Sequence, residues 1–138
     1  MTTRVFKHFP QEAKKVREEV FIYEQGFSYD YDEMDDIAIH IVLFEDNIPI
    51  AACRVFESEE CGKFVLGRLA VKKECRSKGV GSCVVEAAKE YVASVGGKFL
   101  ILHSQLQAKE FYNKLGFVEY GEVEYEEDCP HIWMKAEL

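Results

Sequence analysis

The stretch Leu69-Ala-Val-Lys-Lys-Glu-Cys-Arg-Ser-Lys-Gly-Val-Gly-Ser82 restricts this 138-residue chain more than any other feature. An apolar run ends at Val71, a polar turn follows, and two glycines one residue apart open a helical pattern. Val84, Ala87, Ala88, Tyr91 and Val95 then recur on one helical face, Gly96-Gly97 stands where a C-terminal cap would, and Phe99–His103 is again short and apolar. A strand, a helix and a second strand in that order cannot be a hairpin. They require a crossover, and hence a parallel step between Phe64–Val71 and Phe99–His103.

The flanking sequence reads differently. Residues 3–7 suit a short strand, and Pro10 opens a helix whose apolar positions are Ala13, Val16, Val20 and Tyr23. Residues 26–36 mix glycine, aromatics and acids without a period and read as a surface loop. Ile37–Phe44 and Ile48–Phe56, joined by Glu45-Asp46-Asn47, make a hairpin that Phe64–Val71 extends. After Phe99–His103 a helix over about residues 106–115 stops at Gly116, and Val118–Tyr125 and His131–Glu137 are the last strands. The sum is one α+β domain over residues 1–138, with a mostly antiparallel sheet.

Composition narrows the function classes. With 17 Lys+Arg against 25 Asp+Glu the formal charge is −8, which repels a nucleic-acid backbone and an anionic membrane surface but suits a cationic small molecule. No apolar run approaches a membrane span, and MTTRVFKHFP lacks the core of a signal peptide. The five cysteines form no C-x-x-C pair, so a disulfide framework or zinc ribbon is not indicated and a cytoplasmic setting is expected.

The turn at residues 76–82 has the chemistry of an anion site. The first turn of a helix offers unpaired N–H groups and the positive end of the macrodipole, and glycines at 79 and 81 let a ligand reach the backbone. The spacing matches neither G-x-x-x-x-G-K-[ST] nor G-x-G-x-x-G. On the glycines alone, a tight strand-to-helix turn without a ligand is the better account of the pattern.

Arg76-x-x-Gly79-x-Gly81 after Leu69-Ala70-Val71 resembles the acetyl-CoA motif of the GNAT superfamily. Further on, Gln105-x-x-Ala108-x-x-x-Tyr112-x-x-x-Gly116-Phe117 resembles the family's second signature, with Gln105 for the usual Asn. Val20-Phe21, Glu24-Gln25-Gly26, Asp32-Glu33, Asp36, His40, Arg54, Gly67-Arg68 and Pro130-His131-Ile132 with Met134 resemble its ElaA-like subgroup along essentially the whole chain, Cys129 standing where the subgroup often has glycine.

The resemblance implies a mixed sheet of six to seven strands flanked by helices, acetyl-CoA as co-substrate without a metal, and direct transfer of acetyl to a primary amine in a ternary complex. It also implies that the two parallel strands splay, freeing backbone groups of Leu69 and Val71 for the pantetheine arm, with Ala70 between them. The pyrophosphate would lie on Ser77, Lys78, Gly79, Val80, Gly81 and Ser82 with Arg76 nearby, and the Val71 N–H would face the thioester oxygen. Tyr112 is then the acid at the leaving sulfur, worth about 10²-fold, unless it only packs beside Phe111 and Leu115. Glu24 is the preferred base, with His40 and His131 as alternatives, and each also reads as a structural residue. Arg54 and Arg68 would fix a substrate carboxylate or form internal ion pairs. The acidic stretches Asp30–Asp36 and Glu122–Asp128 would draw in an amine or lie solvated. A non-catalytic acetyl-CoA-binding module is the competing class. A metalloprotein using Cys129, His131, His40 and His103 matches no standard ligand spacing. The acceptor and the oligomeric state, a homodimer included, are left open.

Overall fold

The computed structural model describes residues 1–28 and 30–138; Tyr29, inside the expected loop at 26–36, lies outside the described residues. The elements are β1 (Thr2–Phe6), α1 (Gln11–Arg17) running on as a π-helical segment over Glu18–Glu24, α2 (Met34–Ile37), β2 (Ile39–Glu45), β3 (Ile48–Glu57) and β4 (Lys63–Val71). They continue with α3 (Val80–Ser94), β5 (Phe99–Gln105), α4 (Lys109–Asn113), β6 (Val118–Glu126) and β7 (Cys129–Glu137). The strands form one mixed, mostly antiparallel sheet in the order β1-β2-β3-β4-β5-β7-β6. By their internal contacts the residues group into two compact units, Met1–Phe56 with Leu66–Ala88, and Glu57–Val65 with Lys89–Leu138. Among the described residues no helix is long and apolar enough to cross a membrane.

In the first unit, β1 pairs antiparallel with β2 from Thr2↔Phe44 to Phe6↔His40, and β2 with β3 from Ile39↔Val55 to Glu45↔Ile48. Asp46 and Asn47 close that hairpin with φ of 52° and 67°, the two left-handed residues a tight two-residue turn needs. From Ile50 to Val55 β3 is buried without alternation, as befits a central strand covered on both faces. Val42 and Ala52 of the sheet pack with Ala13, Val16, Val20 and Ala70, and Phe6, Phe9, Phe21 and Phe44 close over them.

The first helix departs from the expected stripe. Tyr23 is 79% exposed, and Phe21 packs on the core in its place. The Gln25 N–H reaches back five residues to the Val20 carbonyl, so the last turn is wider than 3.6 residues and Val16 aligns with Phe21. Arg17 follows Val16 on the buried face at 1% exposure.

Most of the described residues of the loop at 26–36 are exposed, as a surface loop's are, but two of its acids are buried. Asp30 and Asp35 are 8% and 2% exposed. Arg17 Nε donates to Asp30 at 2.6 Å and its Nη1 to Asp35 at 2.8 Å. Arg54 donates to Asp32 at 2.6 Å and to Asp35 at 3.1 Å. Burial would raise the Asp35 carboxyl, but hydrogen bonds and charge from Arg17 and Arg54 outweigh it and hold its pKa down at about 2. Burial likewise works against the Arg17 charge, and its bonds to Asp35 and Asp30 overcome that and raise its pKa. Asp30, Asp32 and Asp35 therefore face arginines, while Glu33 and Asp36 are exposed.

In the second unit, β4 and β5 run parallel from Lys63↔Phe99 to Val65↔Ile101, and that register stops there. β7 lies between β5 and β6, antiparallel to both. Glu127 and Asp128, with φ of 48° and 66°, close the β6–β7 hairpin as Asp46 and Asn47 close the other. α4 is shorter than the expected helix, because Leu106–Ala108 form a 3-10 turn and Ala108 (φ −99°, ψ 0°) breaks the α register before Lys109.

Candidate active site

The turn after β4 is held at both ends. The Lys72 N–H donates to the Ile50 carbonyl at 3.0 Å where the strand leaves the sheet, and Lys73–Cys75 make a single 3-10 turn. Ser77 then takes φ 65° and Gly79 φ 76°, and a side chain on Gly79 would meet open space but a strained backbone. The first helical hydrogen bond of α3 runs from Cys83 N–H to the Gly79 carbonyl at 3.1 Å. The N–H groups of Val80, Gly81 and Ser82 precede it, so the helix leaves them for an external acceptor. Val80 is 3% exposed and anchors this end, while Ser77, Lys78 and Gly79 face solvent. No acid stands in the first turn. Three backbone donors, the positive end of a fifteen-residue helix and Lys78 converge here, a combination chemically suited to an anion.

Arg76 and Glu24 belong to the same unit, and the structure joins them. Glu24 ends the π-helical segment and accepts both terminal nitrogens of Arg76 at 2.6 Å, while Arg76 Nε donates to the Val71 carbonyl at 3.0 Å. The hydrogen bond from Arg76 lowers the Glu24 carboxyl pKa, and the same bond raises that of Arg76. A lowered pKa makes Glu24 a weaker proton acceptor. The pair ties the end of the first helix to the turn that follows β4.

His40 is fully buried. Its Nε2 lies 3.0 Å from the Asp35 carbonyl, its ring stacks on Phe9 at 4.7 Å, and burial lowers its pKa. Arg54, at 5% exposure, has the ion-pair role among the two readings of the sequence. Arg68 donates Nε to the Asp30 carbonyl at 2.6 Å and sits at φ 51°, a left-handed residue within β4, the strand that leads to the turn. Arg17 was missing from the sequence reading although a signal existed, since it stands four residues after Ala13 and three before Val20.

In the second unit, Tyr112 is 9% exposed on α4, with Phe111 and Phe117 edge-on at 4.9 and 5.8 Å. The Phe117 N–H returns to the Tyr112 carbonyl and the Gly116 N–H to the Asn113 carbonyl, both at 3.1 Å, with Gly116 at φ 93°. This is a Schellman cap, whose six-to-one bond and apolar contact join Tyr112 to Phe117. The spacing Tyr-x-x-x-Gly-Phe thus has a structural origin, and it fixes the tyrosine. Val92, Gly96 and Gly97 end α3 in the same way, and a side chain on Gly97 would run into Val92 and Phe64. Gln105 ends β5, pairs in register with His131, and accepts from Gln107 at 2.8 Å.

The chain is similar to known proteins in sequence and in fold. The family described as "Acetyltransferase (GNAT) domain" matches residues 7–138. An uncharacterized N-acetyltransferase of Bacillus subtilis, YjcF, is 35% identical over 127 residues, 90% of this chain and 89% of its own. The crystal structure of Escherichia coli ElaA superposes with a TM-score of 0.86 at 28% identity, covering 99% of both chains. An aminoglycoside 6'-N-acetyltransferase complexed with coenzyme A shares the fold, with a TM-score of 0.79 at 17% identity over 99% of this chain and 97% of that one.

Proposed function

Because the chain belongs to the GNAT acetyltransferase family, in its ElaA-like branch, we propose that it transfers an acetyl group from acetyl-CoA to a primary amine, with residues 1–138 as one catalytic domain. The observation that carries this reading is the turn at 76–82, where three helix-start N–H groups and Lys78 converge on a backbone that Gly79 keeps open. The pyrophosphate would accept hydrogen bonds from residues 77–82, since a dianion there gains both donors and dipole. The coenzyme A carried by a protein of the same fold supports this. Glu24 holds Arg76 and so shapes the turn, and Lys78 supplies the charge beside the phosphates.

Acetyl transfer then needs a nucleophilic amine, a donor to the carbonyl oxygen and an acid for sulfur. The Val71 N–H is the proposed donor, with its carbonyl tied by Arg76. Tyr112 is the proposed acid: attack forms the C–N bond, the C–S bond breaks, and the phenol hands its proton to the leaving thiolate. A thiol with an ordinary pKa near 8.5 is already a fair leaving group, so the phenol assists by about 10²-fold.

The test is thiol release with a panel of amines, together with calorimetry of acetyl-CoA binding. Tyr112→Phe should lower kcat by about 10²-fold and leave acetyl-CoA affinity as it was; an unaltered kcat removes Tyr112 from the chemistry. Tight acetyl-CoA binding with no thiol release for any amine would make the protein a binding module instead.

A further inference from the structure

On the proposed reading, the acceptor amine needs a recognition surface and a base, and the second unit holds a histidine–glutamate cluster to which the transfer step above gives no part. His103 of β5 and His131 of β7 stand with ring centroids 4.9 Å apart, and Trp133 stacks on His103 at 4.7 Å. The antiparallel register sets His131 between Gln105 of β5 and Glu124 of β6. The cluster is therefore built on strands beside the residue that begins the second family signature, and the sheet fixes its geometry.

The hydrogen bonds define which nitrogen can accept a proton. His131 Nδ1 lies 2.9 Å from the Cys129 carbonyl, which only accepts, so Nδ1 carries the hydrogen and the neutral ring keeps its lone pair on Nε2. His131 is 9% exposed, and among the described residues Nε2 makes no hydrogen bond. The carboxylate facing it is Glu126, whose Oε2 is 3.8 Å away, too far for a hydrogen bond and close enough for one ammonium nitrogen to donate to both. Glu126 Oε1 holds His103 Nδ1 at 3.0 Å. Glu124 Oε1 lies 3.2 Å from His103 Nε2, within ion-pair reach but off the hydrogen-bond direction, so that nitrogen stays without a hydrogen bond.

The hairpin that carries the cluster's carboxylates is acidic, with Lys109 of α4 paired to one of its acids, Glu119, at 3.7 Å. From Val118 to Trp133 there are six acids and no Lys or Arg. The Glu124 and Glu126 side chains are 60% and 62% exposed, so both carboxylates are reachable from solvent.

We propose that the His103–His131 pair with Glu124 and Glu126 receives a cationic primary amine, and that His131 Nε2 takes its first proton. The amine arrives as R–NH3⁺ and His131 removes one proton, which passes to solvent. The free amine attacks the thioester carbon, and the second proton shed from nitrogen replaces the one that Tyr112 gives to sulfur. One proton is released per acetyl transferred. The hairpin carries more carboxylates than two imidazoles can neutralise, so an amine with a second positive charge binds better than one without.

The experiment compares 1,4-diaminobutane, butylamine and 4-aminobutanoate by thiol release, with calorimetric titration of 1,4-diaminobutane into the protein. kcat/KM for the diamine should exceed that for butylamine by at least about tenfold, and 4-aminobutanoate should be the poorest. The Glu124→Gln, Glu126→Gln double variant should erase the diamine advantage and its calorimetric signal. His131→Asn should lower kcat by about 10²-fold, remove the acid limb of the kcat–pH profile and leave acetyl-CoA affinity unchanged; Glu126→Gln, on an exposed residue, gives a second reading should His131→Asn fold poorly. Equal kcat/KM for diamine and butylamine overturns the cation surface. A His131→Asn enzyme that keeps its kcat and its acid limb overturns the base. If no amine is turned over, the base falls with the proposed function, and the diamine titration still decides the surface.

Discussion

Glu24 and Arg76 show how one ion pair redirects a residue's chemistry. Each was expected to act on a ligand, the glutamate as base and the arginine at the phosphates, and each is engaged first with the other. Both are partly exposed, and such pairs contribute little to stability. Their effect is on shape, because Arg76 also grips the Val71 carbonyl. Glu24→Gln should therefore raise the KM for acetyl-CoA and spare kcat. A fall in kcat of about 10²-fold at constant KM, measured by thiol release, would return Glu24 to the role of base. The tetrad at His131 differs in that its imidazole nitrogen is not consumed by a partner.

Among elements, the turn from β4 into α3 and the cap of α4 are both built on glycines, for different reasons. Gly79 is needed for its left-handed φ of 76°, whereas Gly81 lies inside α3, where any residue keeps the backbone. The two variants should separate accordingly. Gly81→Val should stay folded, since valine is a better helix former than glycine, and lose acetyl-CoA binding by covering the N–H groups. Gly79→Val should lose binding and also about 1–3 kcal/mol of stability through backbone strain. Calorimetric affinity that survives in folded Gly81→Val would sink the pyrophosphate assignment. Element boundaries followed the sequence where caps were written into it, as at Gly96 and Gly116. They departed where hydrogen bonding changed type, at the π-helical end of the first helix and the 3-10 turn at Leu106–Ala108. Apolar spacing assumes 3.6 residues per turn, so it put Tyr23 where Phe21 belongs.

For the molecule as a whole, the buried Arg–Asp network makes stability depend on pH. Asp35 has a folded pKa of about 2 against an ordinary 3.8, so its contribution is complete above about 4 and is lost as pH falls toward 2. That shift corresponds to about 2 kcal/mol. His40 acts in the same direction at higher pH: its folded pKa is lowered by burial, so stability begins to fall once pH drops below its ordinary 6.5. Denaturant midpoints between pH 7 and pH 2 should decline in those two stages, and Asp35→Asn should flatten the lower one; a flat profile in the parent protein would contradict the network. Much of this molecule was legible beforehand. The crossover at residues 69–82, the first hairpin and the parallel step follow from local periodicity and turn chemistry, which act within a dozen residues and so leave a trace in the sequence. Tyr112 was legible through the resemblance to the family's second signature, whose spacing the Schellman cap explains, and the glycine turn through the spacing of a helix start. The partners of Glu24, Arg17, Asp30 and Asp35 were not, since each pairs across a span that no local pattern encodes. Sequence alone determined where the strands and the longer helices lie and where backbone donors gather. The tertiary structure decided which charges are spent on one another and which nitrogen stays open, because burial and pairing depend on who stands opposite, and only the folded sheet brings those residues together.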